Sequence, residues 1–367
     1  MAVSGASITQ EAVLEALKDV QDPEVQRSIV EMEMVKRIEI VGSRVAVEVT
    51  LTIRGCPLRT VIEADVERAI RALPGVTEVD VTVGTMTDEE RQRFAAKLRG
   101  KEASEAAQSP LLNPEAAVAF VAVASGKGGV GKSTVSANLA VALAARGHRV
   151  GLVDADIYGF SLPAIFGVED MKPAIVENFI MPVQTRGVKL VSMQFFVPEG
   201  RPVIWRGPML GKMLRNFFQE VHWGDLDVML LDLPPGTGDV ALDVHQMLPK
   251  SREVIVTTPQ DQAAQVAVRA GLMAAQTKHE ILGIVENMSY YQCGSCGERA
   301  YLFGRGGGEK VADALRSSVL AEIPLGGTEG GGALFPPESA QGQAFARLAE
   351  RLAATLGLPS PLAGARR

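Results

Sequence analysis

The chain has 367 residues, with 37 Lys plus Arg against 43 Asp plus Glu and three cysteines. That length accommodates two domains, while a net charge of −6 argues against a phosphate-tracking nucleic-acid surface, which is normally basic. Three cysteines make no disulfide framework, the longest apolar runs fall short of the ~20 residues that span a bilayer, and Met1 to Gln10 lacks a cationic segment leading into an apolar one. The expectation is a cytoplasmic protein that uses neither nucleic acid nor membrane.

The first elements predict a compact α+β domain over residues 1–98. Ile8 to Val20 reads as a helix and Val35 to Ile53 as a hairpin turning near Gly42-Ser43. Pro57 to Leu73 is a helix with Pro near its first turn, followed by a strand from Val76 to Val83. Cys56 sits between strand and helix, where a thiol is either activated by the helix N-terminus or simply packed. Thr87 to Leu98 reads as a charged helix. Residues 99–115, rich in Ala, Ser, Glu and Pro, are the expected linker.

Residues 116–367 form the expected second domain. Strand-length apolar runs at 119–124, 149–153, 188–193, 228–232, 253–258, 281–287 and 319–323 alternate with helices, Ala340 to Leu356 has helical spacing, and the Gly-rich stretches Gly304 to Gly308 and Gly326 to Gly332 read as loops. The pattern predicts an α/β fold with a mostly parallel sheet and helices on both faces. Directly after the first run comes Gly126-Lys127-Gly128-Gly129-Val130-Gly131-Lys132-Ser133-Thr134. This is a Walker A phosphate loop followed by a helical stretch, and it predicts nucleoside triphosphate binding. Lys132 is expected to reach the outer phosphates and Ser133 to ligate Mg²⁺. Lys127 is surplus to an ordinary loop and makes sense as a charge supplied across a dimer interface to a transferring phosphoryl group.

Two acidic segments end later strands, where ligands bind in open α/β sheets. They are Asp154-Ala155-Asp156 and Asp232-Leu233-Pro234-Pro235-Gly236-Thr237-Gly238-Asp239. Asp232 occupies the expected Walker B position for Mg²⁺, and Asp156 is placed to orient or deprotonate water. A lone strand-end Asp is more often a helix cap, but two in order after a Walker A loop favour catalysis. Asn287 ends another strand and has an amide able to read a purine edge. Cys293-Gly294-Ser295-Cys296 offers two thiolates on a Gly-rich turn, whereas a closed zinc or iron–sulfur site needs four. The residues leave three readings open: a redox dithiol, a half-site completed by a second subunit, or two structural thiols.

The phosphate loop resembles those of the deviant Walker A ATPases, the group of MinD, ParA and the nitrogenase iron protein. Taken with DADIYG at Asp154 to Gly159, WGDLD at Trp223 to Asp227, DLPPGTGD, TTPQ at Thr257 to Gln260, ENMS at Glu286 to Ser289 and the C-x-x-C, the chain closely resembles the Mrp/ApbC iron–sulfur cluster carrier ATPases. Its first domain looks like the MIP18-type (DUF59) domain, through DPE at Asp22 to Glu24 and the Cys-Pro at Cys56. The resemblance implies a homodimer that holds a [4Fe-4S] cluster between its Cys293/Cys296 pairs. It also implies exchange with a cluster-assembly scaffold and apo-protein clients, slow Mg²⁺-dependent ATP hydrolysis, and an adenine contact from Asn287. Phe160 replaces a common Pro, and Gly326 to Phe335 lacks the usual acidic, Arg-containing sequence. The competing readings are a positioning ATPase of the MinD/ParA kind without a cluster, and an electron-transfer reductase, whose cluster cysteines lie far apart in sequence.

Overall fold

A computed structural model describes residues 8–22, 27–51, 59–87, 89–90, 93–94, 110–112, 117–156, 159–176, 179–196, 207–327 and 333–359. Cys56, Pro23, Glu24 and most of the expected linker lie outside the described residues. The chain forms two compact units, one of residues 1–107 with 174–181 and one of residues 108–173 with 182–367.

In the first unit, helix α1 (Gln10–Leu17) starts where the Thr9 hydroxyl accepts the Ala12 N–H at 3.2 Å, an N-cap that satisfies a free helix donor. Short strands β1 (Gln21–Asp22) and β2 (Arg27–Ser28) pair antiparallel. Strands β3 (Val35–Val41) and β4 (Arg44–Leu51) form the expected hairpin around Gly42, whose φ of 63° suits a residue without Cβ. Val45, Val47 and Val49 alternate into the core, as a period of two requires. Helix α2 (Arg59–Arg71) buries Ile62, Val66 and Ile70 on one stripe. It returns the chain so that β5 (Glu78–Thr85) lies parallel to β4. Beyond it, Thr87 and Glu90 exchange side-chain to backbone hydrogen bonds in a capping box.

The second unit contributes β6 (Ala119–Ser125), α3 (Lys132–Ala145), β7 (Val150–Asp154) and α4 (Leu162–Phe166). The next pair, β8 (Ile175–Val176) and β9 (Phe179–Ile180), belongs instead to the first unit. Its flanking residues Ala174 and Met181 are buried with Val13, Met34 and Ile62 in that unit's core. No break in composition marks this excursion. The chain continues through β10 (Val183–Thr185), β11 (Val188–Ser192), α5 (Gly207–Gln219), β12 (Val228–Asp232), α6 (Asp239–Met247) and β13 (Arg252–Thr257). It finishes with α7 (Asp261–Gln276), β14 (Glu280–Glu286), β15 (Tyr291–Gln292), β16 (Arg299–Ala300), α8 (Gly307–Leu315), β17 (Val319–Glu322) and α9 (Ala340–Leu356).

The central sheet runs β10-β11-β7-β12-β6-β13-β14-β17, parallel except for the edge strand β10. Strands β7, β11 and β12 are buried at every position, which explains their unbroken apolar runs. The α/β expectation holds. One local expectation does not: the Gly304 to Gly308 stretch is not all loop, because Gly307 and Gly308 open α8. A Cβ on Gly307 would lie 2.6 Å from the Thr258 and Pro259 carbonyl oxygens, so these glycines let the helix start against the strand ends. Among the described residues no helix is long and apolar enough to cross a membrane.

Candidate functional site

The phosphate loop leaves the central strand β6 between its neighbours β12 and β13. Glycine is required at its first position, because a Cβ on Gly126 would lie 2.2 Å from the Val266 carbonyl carbon of α7. Gly129 and Gly131 turn the loop with φ of 82° and 80°, the left-handed region that Cβ disfavours. The loop runs into α3, and the free N–H groups of that helix end suit an anion. Lys127 is half-buried at the start of the loop, and its carbonyl accepts the Ser125 hydroxyl at 3.2 Å.

Sheet register sets the two acidic strand ends side by side, pairing Asp232 with Asp154. Lys132 Nζ lies 2.8 Å from Asp232 Oδ2, the Ser133 hydroxyl donates to the same oxygen at 2.6 Å, and Ser136 donates to Oδ1 at 2.6 Å. Asp232 is fully buried and Asp154 is 1% exposed. Burial, together with the neighbouring Asp232 charge, pushes the Asp154 carboxyl up to about 7. Lys132 opposes this, as do the hydrogen bonds that Asp154 accepts from the Ser192 hydroxyl at 3.1 Å and the Leu162 N–H at 3.4 Å. Asp156, expected near an attacking water, closes its own turn by accepting the Gly159 N–H at 3.1 Å. The structure therefore brings Lys132, Ser133, Asp232 and Asp154 together. The sequence reading noted Asp154 only as part of a segment and gave it no role. Ser136, one helical turn beyond Lys132 and so on the same face, was missed although its spacing would have found it.

Asn287 leaves β14 with its N–H donated to the Thr257 carbonyl at 2.8 Å. Its Nδ2 donates to the Val130 carbonyl of the phosphate loop at 2.9 Å. A Cβ on Gly131 would sit 2.2 Å from that nitrogen, so glycine there makes room for the clasp. The side-chain nitrogen is thus engaged by the loop. Thr258, given no role by the sequence reading, has a buried Oγ1 without a partner among the described residues.

From Asn287 the chain runs into the antiparallel β15–β16 ribbon, whose tip carries both cysteines. The Cys293 N–H donates to the Glu298 carbonyl and the Gly297 N–H to the Cys293 carbonyl, each at 2.9 Å, with Gly297 at φ 73°. Backbone N–H groups of Cys296 and Ser295, with the Cys296 side chain, hold the Cys293 thiol below its ordinary value. Cys296 is exposed and Cys293 partly so. Such a turn stabilises thiolate. Among the described residues, no three His, Cys, Asp or Glu side chains gather where they could hold a metal ion.

A family model described as an NUBPL iron-transfer P-loop NTPase matches residues 117–345. A second, described as an iron-sulfur cluster assembly protein, matches residues 10–81. The iron-sulfur cluster carrier protein of Bacillus subtilis is 48% identical over 320 residues, covering 87% of this chain and 88% of its own. This chain belongs to the iron–sulfur cluster carrier family of P-loop NTPases. The Synechocystis carrier is 40% identical over 363 residues, covering 96% of this chain and 99% of its own, so the likeness to carriers extends through both units. Among solved structures, the nucleotide-binding protein of Archaeoglobus fulgidus, in complex with ADP, is 42% identical with a TM-score of 0.51. It covers 62% of this chain and 87% of its own. Membership in the carrier family favours cluster carriage over the positioning-ATPase alternative.

Proposed function

We propose that this carrier holds a [4Fe-4S] cluster between the Cys293/Cys296 pairs of two copies and passes it to apo-proteins, with ATP binding and slow hydrolysis modulating the transfer. The observation that carries the proposal is the cysteine tip itself: two accessible thiols, one of them turned toward backbone N–H groups, on a ribbon that starts at the phosphate-loop clasp. A cubane takes four thiolates, and two-fold symmetry presents the same loop twice. Exposed ligands suit a cargo that must leave.

On the nucleotide side, Gly126 to Thr134 would wrap the phosphates, Lys132 would exchange Asp232 for a phosphate oxygen, and Ser133 with Asp232 would hold Mg²⁺, whose charge would offset that of the phosphates. Asp156 orients water and Lys127 acts across the dimer. Asn287 Oδ1 meets the adenine ring, and the Thr258 hydroxyl offers a further polar contact. Anaerobically reconstituted protein mixed with an apo-ferredoxin tests the carrier reading. Client activation that depends on Cys293 and Cys296 supports it, whereas equal activation by Cys293→Ala defeats it.

A further inference from the structure

The cysteine ribbon borders the phosphate loop at both of its roots. At the entering root Asn287 clasps the Val130 carbonyl, and Met288 follows with a φ of 55°, a left-handed conformation uncommon for a residue with Cβ. At the leaving root Phe303 lines an open cavity of about 160 Å³ beside the loop, together with Lys127, Gly129, Val130, Thr258 and Met288. The two residues that bracket the cysteines therefore meet across one cavity, and the signature lysine is in its wall.

The segments beside this cavity are hydrogen-bonded to one another. Glu286, 3% exposed, accepts the Ser289 hydroxyl on one carboxylate oxygen and the Gly308 N–H on the other, each at 2.5 Å. One carboxylate thus pins the turn that precedes the ribbon and the helix α8 that follows it. The Leu325 N–H donates to the Tyr290 carbonyl at 2.7 Å, and Tyr291 bridges to Leu325. By contrast, Phe303 is 37% exposed and Leu302 63%, so neither serves as a core residue. Packed interiors shift between discrete arrangements rather than deform continuously. Met288 and Phe303 line the same wall as the phosphate loop, so a displacement of the loop is felt by both.

We propose that Met288 and Phe303 are positioning residues that couple the phosphate loop to the cysteine pair: a nucleotide that remodels the loop moves both roots of the ribbon together and changes the exposure of Cys293 and Cys296. The biological consequence rests on the carrier reading, and the coupling is reciprocal, since cargo on the thiols alters nucleotide affinity by the same factor.

The test uses cluster-free, full-length protein under reducing conditions. Iodoacetamide alkylation of Cys293 and Cys296 is followed peptide by peptide, with and without saturating Mg²⁺ and a non-hydrolysable ATP analogue. Wild type is expected to change its alkylation rate about fivefold on nucleotide addition. Phe303→Ala should lose that difference while still binding the analogue, and Phe303→Leu, which refills the cavity wall, should recover much of it. Met288→Ala provides a second loss variant should Phe303→Ala fold poorly. A full nucleotide-dependent difference in both alanine variants overturns the proposal, as does the absence of any difference in wild type. Failure of the carrier reading registers separately, as no iron retained on anaerobic reconstitution, because the alkylation measurement involves no cluster.

Discussion

Lys132 and Ser133 both rest on Asp232, so the residues proposed to hold phosphate and metal are held by one another. Lys132→Ala should weaken nucleotide binding and abolish turnover. Lys127→Ala should spare binding and lower turnover by roughly 10³-fold, the scale of a trans-acting charge; equal ATPase rates in wild type and both variants contradict these roles. Asp232→Asn should shift the Mg²⁺ dependence of binding, whereas Asp156→Asn should leave Mg·ATP affinity near wild type and stop hydrolysis. Normal turnover in Asp156→Asn assigns water activation elsewhere. Asp154 supplies a pH prediction. Its folded value of about 7 lies above the ordinary 3.8, so the folded state binds the proton more tightly. That contribution to stability is complete below pH ~4 and is lost as pH rises toward 7, at up to about 1.4 kcal/mol per pH unit. Urea unfolding of nucleotide-free Asp154→Asn should therefore show a gain over wild type that grows from pH 5 to pH 8. An unchanged gap would mean that Asp154 is ionised throughout.

The elements divide by how local their causes are. The buried parallel strands were legible because Val228 to Leu231 and its counterparts are apolar on both faces. Helix α9 was legible from its spacing, and α3 because the phosphate loop announces it. The Asp232–Asp154 pairing was not, since it comes from β12 inserting between β6 and β7, a choice of strand order that no local pattern encodes. Gly307 and Gly308 read as loop because their reason is a close approach to the Thr258 and Pro259 carbonyls and to Glu286, distant in sequence. The β8–β9 excursion was invisible for the same reason: Met181 looks like any apolar residue until its burial in the first unit's core is known. Met181→Ala should destabilise that unit by ~2–5 kcal/mol, the cost of a buried methionine truncation. Hydrogen exchange in the full chain should report it as lost protection in β3 to β5 with β6 and β12 unaffected. Equal protection in the variant would show that the excursion adds nothing to that core.

At the scale of the whole molecule, the proposed cluster site is a half-site in each chain. Each chain presents two thiols at the ribbon tip, and among the described residues no other metal-ligating cluster accompanies them. On the proposed carrier reading a second copy would close the site, so loading and association would be one event and release of cargo would expose thiols prone to oxidation. The direct measurement is iron and sulfide content together with native mass of the anaerobically reconstituted protein. The account predicts about four irons per dimer, lost in both Cys293→Ala and Cys296→Ala. A monomer that retains a full cluster, or a Cys293→Ala variant with undiminished iron, would contradict it.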